Sequence, residues 1–194
     1  AFPVIVATIC GGAASVWSDF EAARDLVLPL LEPGDRLYRL AVNEAGIEHP
    51  GRLDHWCTLH PDKMRNWLKA RLAADRNRPK MWGVTMRDDI DEVQRVWRGG
   101  SSGLHAVDVA IHKLGADAVL LCGIPMDDGR NRFHGRDWGE YTRYWPEWFV
   151  GKKPRSGKPL PELEGVVRSF GGRTAVLLGF PDTAWLEEVR CRTT

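Results

Sequence analysis

The residues of this chain that could do chemistry fall in a basic loop, two glycine turns and a few polar strand ends. His134 lies in the run Asn131-Arg132-Phe133-His134-Gly135-Arg136-Asp137-Trp138. Histidine titrates near neutrality, so His134 is the preferred general base, with an exposed loop histidine as the plain alternative. Asp127 and Asp128 precede it and suit a magnesium ion or an acceptor hydroxyl, although adjacent aspartates also make ordinary turns. Arg130, Arg132 and Arg136 have the charge to neutralise a diphosphate leaving group; each also reads as a solvated loop cation. Gly11, Gly12 and Ser15 follow an apolar run, and Gly99-Gly100 leads into Ser101, Ser102 and Gly103 at the start of an amphipathic segment. A helix N-terminus opened by such residues presents free N–H groups to an anion, or simply carries a serine cap. Asn43 ends a strand-like run, where it would face a ligand or bond its own backbone. His60, beside Asp62, is a reserve candidate on the same rim. His105, Asp108 and His112 share a helical face at i, i+3 and i+7, which suits a metal or a solvated polar stripe.

These groups need a scaffold, and the apolar patterning supplies one. Leu104, Val107, Ile111 and Leu114 recur at helical spacing, Gly115 stops the helix, and Ala118–Cys122 is an unbroken apolar run of strand length. Such a run wants cover on both faces and predicts a parallel strand with a ligand-bearing loop, 123–128, at its carboxyl end. Pro3–Ile9 reads as a first strand, Ser18 and Glu21 as a capping box for the helix after it, and Leu37–Val42 and Leu53–Leu59 as further strands. A helix follows from His60 to about Ala74, Met81–Met86 is a short strand, and 87–98 is an acidic helix or an irregular connection. Residues 127–159 show no period and form an irregular basic, aromatic loop in which Trp138, Trp145 and Trp148 would stack on a sugar or base or anchor the segment. Leu160–Phe170 reads as a helix, Thr174–Leu178 as a last strand and Asp182–Arg190 as a capped helix. The expected fold is one α/β domain over 1–194 with a mainly parallel, Rossmann-like sheet covered by helices on both faces.

Composition narrows the partners. A chain of 194 residues, 43% hydrophobic and 27% charged with a net charge of +1, can bury a core of its own and gives no reason to expect nucleic acid as partner. Cys10, Cys57, Cys122 and Cys191 are widely spaced and read as reduced thiols, which points to the cytoplasm. The apolar start lacks a basic leader and reads as a strand, and nothing is long enough to span a bilayer. A homo-oligomer is compatible with the sequence.

The stretch SSGLHAVDVAIHKLGADAVLLCGIPMD resembles the core motif of glycosyltransferase family 42, the bacterial sialyltransferases, and of the related family with the archaeal 6-hydroxymethylpterin diphosphokinase. Its Gly-Ile-Pro-Met-Asp form looks like uncharacterised phage and prophage proteins. CGGAASVW is similar to the glycine-rich loop after the first strand in those families, and Val42-Asn43 to the end of their second strand. Ala14 stands where they usually have proline, and Pro125 where they have aspartate. The resemblance implies that Gly11, Gly12, Ser15, Asn43, Ser101, Ser102 and Gly103 surround a nucleotide. The expected activity is therefore nucleotide-sugar-dependent glycosyl transfer, with a CMP-sugar or other nucleotide sugar as donor and a hydroxyl acceptor. Two alternatives stand beside it: ATP-dependent diphosphate transfer to a small alcohol such as a pterin, and a non-catalytic nucleotide-binding phage protein. Magnesium is compatible with glycosyl transfer and not required by the sequence, whereas diphosphate transfer would need it, with Asp127 or Asp128 then essential.

Overall fold

The computed structural model describes residues 2–94, 101–127, 129–135 and 163–193. Among these residues seven strands form one all-parallel sheet: β1 (Ile5–Cys10), β2 (Arg36–Val42), β3 (His55–Thr58), β4 (Lys80–Gly83), β5 (Glu92–Val93), β6 (Ala118–Cys122) and β7 (Val167–Ser169), in the order β5-β4-β3-β2-β1-β6-β7. The chain builds outward from β1 to β5, returns to the other side of β1, and adds β6 and β7. The order therefore reverses between β1 and β6, the kind of switch point at which open α/β sheets bind ligands outside their strand ends.

Alternation along the strands explains why the sheet needs cover on both faces. Val6 and Cys10 of β1 join Ala118, Leu120 and Cys122 of β6 in one core, while Ala7, Ile9, Val119 and Leu121 join the other. The first face is covered by α1 (Val16–Val27), α3 (Met64–Ala73) and α6 (Thr183–Thr193), through Phe20, Trp67 and Trp185 among others. The second is covered by α4 (Ser102–His112) and α5 (Gly172–Leu178), through Leu104, Val107 and Leu178. A single turn, α2 (Ala45–Glu48), follows β2. The architecture is the Rossmann-like α/β sheet that the patterning implies, and no helix among the described residues is long and apolar enough to cross a membrane.

Several local readings are corrected. The helix expected over 160–170 is instead, where described, a turn followed by β7, because Gly165 takes φ +72° and breaks the helical path between Leu163 and Val167. The strand expected over 174–178 is α5, bounded by Gly172 at φ +66° and Gly179 at φ +92°. Of the two readings of 87–98 the helix is overturned in the described part, which is an irregular turn leading to the edge strand β5. Helix α1 starts one turn before the proposed Ser18–Glu21 box, and the Ser18 hydroxyl donates to the Ser15 carbonyl. Nor is the His105–Asp108 face solvated: α4 packs over β1, β2, β3 and β6 and buries its first nine residues, so His105 is 0% exposed. Helix α6 is capped as expected, the Trp185 N–H donating to the Asp182 carboxylate at 2.8 Å.

Candidate functional site

A cleft opens at the switch point, lined by the loop after β1, the loop after β6, the end of β2 and the N-terminus of α4. Gly11 and Gly12 come from the first, Gly123 to Met126 from the second, Asn43 from the third, and Ser101 to Gly103 from the helix. His60 and Asn131 complete the wall.

Close packing of main chain fixes this geometry. The Gly11 N–H donates to the Cys122 carbonyl at 2.8 Å and the Ala13 N–H to the Gly123 carbonyl at 3.0 Å, so the loops after β1 and β6 are laced together. A Cβ on Gly11 would lie 2.4 Å from Ile124 Cγ1, and one on Gly12 would lie 2.5 Å from Asn131 Nδ2. Gly11 is thus required by its protein neighbours, the Gly123 main chain among them, whereas at Gly12 the neighbour that would have to give is the Asn131 side chain. Gly123 adopts φ +65°, and a Cβ there would meet Val16 at 2.5 Å. The same Gly123 donates its N–H to the Asp19 carboxylate at 2.8 Å, and the Ser15 hydroxyl donates to that oxygen at 2.9 Å. From the opposite side the Thr174 hydroxyl donates to the Ile124 carbonyl at 2.6 Å. The loop after β6 is therefore pinned by α1 and α5 together.

The Asp19 bond is charge-assisted, and its loss leaves a half-enclosed N–H behind. Asp19→Ala is expected to cost about 1–3 kcal/mol in urea unfolding. A loss within error of zero would show that the loop after β6 holds its shape without α1.

Asn43 has φ +49°, a left-handed conformation that asparagine tolerates. Its side chain does not turn back on its own backbone. Oδ1 accepts from the Thr58 hydroxyl at 2.9 Å and the Ser102 hydroxyl at 3.1 Å, while the Trp56 indole N–H donates to its carbonyl at 2.7 Å. Ser102 also accepts from the Leu59 N–H at 3.3 Å, so β2, β3 and α4 meet at one polar knot under the cleft. Ser101 caps α4 by accepting from the Leu104 N–H at 3.4 Å. Helix geometry leaves the Ser102 and Gly103 N–H groups without an intrahelical acceptor, and both residues line the cleft.

The other residues singled out by sequence divide. His60 is exposed and lines the cleft. Ser15 is exposed and outside the lining, engaged with Asp19. Asp127 is half-buried just beyond the lining residue Met126. Arg130 and His134 are exposed and do not line the cleft. Arg132 donates its backbone N–H to the Gly12 carbonyl at 2.7 Å and directs its guanidinium to Glu48 at 3.7 Å. Asp128, Arg136, Gly99, Gly100, Trp138, Trp145 and Trp148 lie outside the described residues. Among the described residues no three His, Cys, Asp or Glu side chains gather as a metal site. Sequence reasoning missed Asp19, Asn131 and Thr174, none of which carried a local signal, whereas Gly123 opens the loop expected over 123–128.

No family model matches the chain, and neither curated proteins nor solved structures match it.

Proposed function

We propose that the switch-point cleft binds a nucleotide and that the protein is a nucleotide-sugar-dependent glycosyltransferase, sialyltransferase-like, acting on a hydroxyl acceptor. One observation carries the nucleotide reading: the N-terminus of α4, with Ser102 and Gly103, opens into the same cleft as the glycine loop after β1. A phosphate in that position would take backbone N–H bonds and the positive end of the helix dipole. The transferase step and the sialyltransferase likeness rest on the motif around Ser101–Asp127. In this reading the cleft holds the donor, a histidine takes the proton of the acceptor hydroxyl, and the hydroxyl oxygen replaces the nucleotide at the sugar carbon. Of the two candidates, His60 already lines the cleft, and we give it precedence over His134.

A thermal-shift panel of CMP, UDP, GDP, ADP, ATP and their sugars, with and without magnesium, tests the reading. At a hundred times its Kd a ligand of the native state stabilises by about 2.7 kcal/mol, a rise in Tm of roughly 5–10 °C for a chain of this size. No shift with any nucleotide would sink the proposal. A shift confined to ATP with magnesium would move it to diphosphate transfer, and a shift without turnover to a binding protein. Once a donor is known, His60→Ala is expected to lower kcat by about a hundredfold or more and leave nucleotide affinity in place. Loss in His134→Ala alone would return the base to the basic loop.

A further inference from the structure

Residues 129–135 turn back over the glycine loop after β1, and three contacts hold them there. The Arg132 N–H reaches the Gly12 carbonyl, Phe133 packs edge-on to Trp17 with ring centroids 6.3 Å apart, and the Arg132 guanidinium lies 3.7 Å from Glu48. Between these anchors Asn131 enters the cleft wall. Its Oδ1 accepts the Phe133 N–H at 2.8 Å, which fixes which end of the carboxamide is oxygen. Its Nδ2 lies against Gly12, at the position a side chain there would occupy. Across the cleft Asn43 repeats the arrangement, because its Oδ1 is consumed by the Thr58 and Ser102 hydroxyls.

We infer that Asn131 is a specificity residue of this cleft, its carboxamide NH₂ donating to a phosphate oxygen held against the Gly12 loop and the N-terminus of α4. The inference rests on the nucleotide reading and goes beyond it, naming a group that no motif marked and the part of the ligand it contacts. Both carboxamides belong to residues that line the cleft, and the protein takes their oxygens, which leaves the NH₂ as the end of each able to donate; the helix end adds N–H groups. Such a wall pairs with acceptor oxygens and repels nothing anionic. Gly12 belongs to the same device: a methyl at that position would displace the Asn131 NH₂.

The discriminating variant is Asn131→Asp. Aspartate keeps an oxygen for the Phe133 N–H, so it preserves the turn while replacing the NH₂ donor with a negative acceptor. Asn131→Ala loses both. Calorimetric titration with CMP, UMP, GMP and AMP, each beside its nucleoside, reads the outcome, with thermal melts as a check on folding. The expected order of nucleotide affinity is wild type, then N131A, then N131D, with N131D weaker than wild type by about tenfold or more and nucleoside affinity unchanged. G12A is expected to show the same selective loss and serves if N131D does not fold. N131D within about threefold of wild type would overturn the assignment: with N131A weaker, Asn131 only holds the Phe133 turn. Equal loss of nucleotide and nucleoside would overturn the phosphate contact. A wild-type protein that binds none of the four nucleotides would overturn the nucleotide reading as well, whereas a wild-type protein that binds with an indifferent N131D removes this assignment alone.

Discussion

Arg71→Met is expected to lower the free energy of unfolding by at least about 3 kcal/mol, the largest stability loss of any single substitution considered for this chain. Arg71 lies in α3 and is 0% exposed, yet its guanidinium meets no carboxylate among the described residues. Its donors run to oxygens of two connections, β2 to β3 and α3 to β4: Nε to the Asn77 carbonyl at 2.7 Å, Nη1 to the Gly46 carbonyl at 2.8 Å, and Nη2 to Asn77 Oδ1 at 2.8 Å and the Gly51 carbonyl at 3.3 Å. Burial pulls its pKa down to about 10, which leaves the charge in place at neutral pH. Methionine fills similar space but strands these acceptors in the interior, and each buried acceptor left without a partner costs about 1–3 kcal/mol before the loop relaxes. Lysine cannot substitute, since one ammonium does not reproduce the planar fork. Asn77 also bonds both main-chain groups of Leu53, so the loss in R71M/N77A should fall short of the sum of the two singles. Equilibrium urea unfolding checks both statements, and a loss below about 1 kcal/mol for R71M would mean that the carbonyls find other donors. The effect should reach the cleft as well, because the loop held at Gly46 and Gly51 begins at Asn43.

What was legible in the sequence follows from where the information is local. Strand β6 was readable to the residue, because Ala118–Cys122 is apolar at every position and only a strand covered on both faces uses such a run. Helix α4 was readable because its stripe, its serine cap and Gly115 at φ +69° agree. The same helix misled where periodicity was pressed into an exposure claim. An amphipathic pattern identifies the apolar side, but it does not show that the polar side reaches water when the helix packs across four strands. The segment 160–178 failed for a related reason: β7 has three residues and α5 seven, too short for a period to register, and their boundaries depend on backbone angles at Gly165, Gly172 and Gly179. The cleft was half legible. Its glycine loop and helix cap follow strand and helix signals in the chain, whereas Asp19, Thr174 and Asn131 act on loops far away in sequence. The Asp19–Gly123 bond spans 104 residues.

Acid supplies the second large effect, and it follows from three buried histidines. His49 is packed edge-on against Phe20 and Trp17, with centroids 4.8 and 6.0 Å away, and His105 is enclosed in α4; both are 0% exposed, and no ring nitrogen of either makes a full hydrogen bond among the described residues. Burial lowers the pKa of each to about 4, aided at His49 by the charges of Arg71 and Arg39 and opposed by Asp54, and opposed at His105 by the Gln94 carbonyl. His55, which accepts the Trp82 indole N–H at 3.1 Å, is lowered by burial too. In the unfolded chain each returns to an ordinary histidine pKa of about 6.5. Between about 6.5 and 4 the unfolded state therefore binds protons that the folded state refuses, so stability falls as pH falls through this window. At pH 5 the cost is about 2 kcal/mol each for His49 and His105, roughly 4 kcal/mol together. The carboxylates of Asp35 and Asp91 titrate apart from this: burial pushes them up, but hydrogen bonds to main chain and to Arg190 and Arg78 outweigh it and hold them below the usual value, so their contribution is lost only in stronger acid. Unfolding free energies measured from pH 7.5 to 5 should decline steeply, and His49→Phe and His105→Leu should each remove about half of the 4 kcal/mol. A flat profile over that range, or variants as acid-sensitive as the wild type, would mean that these rings already hold protons in the folded state and that the core around α1 and α4 opens to admit water.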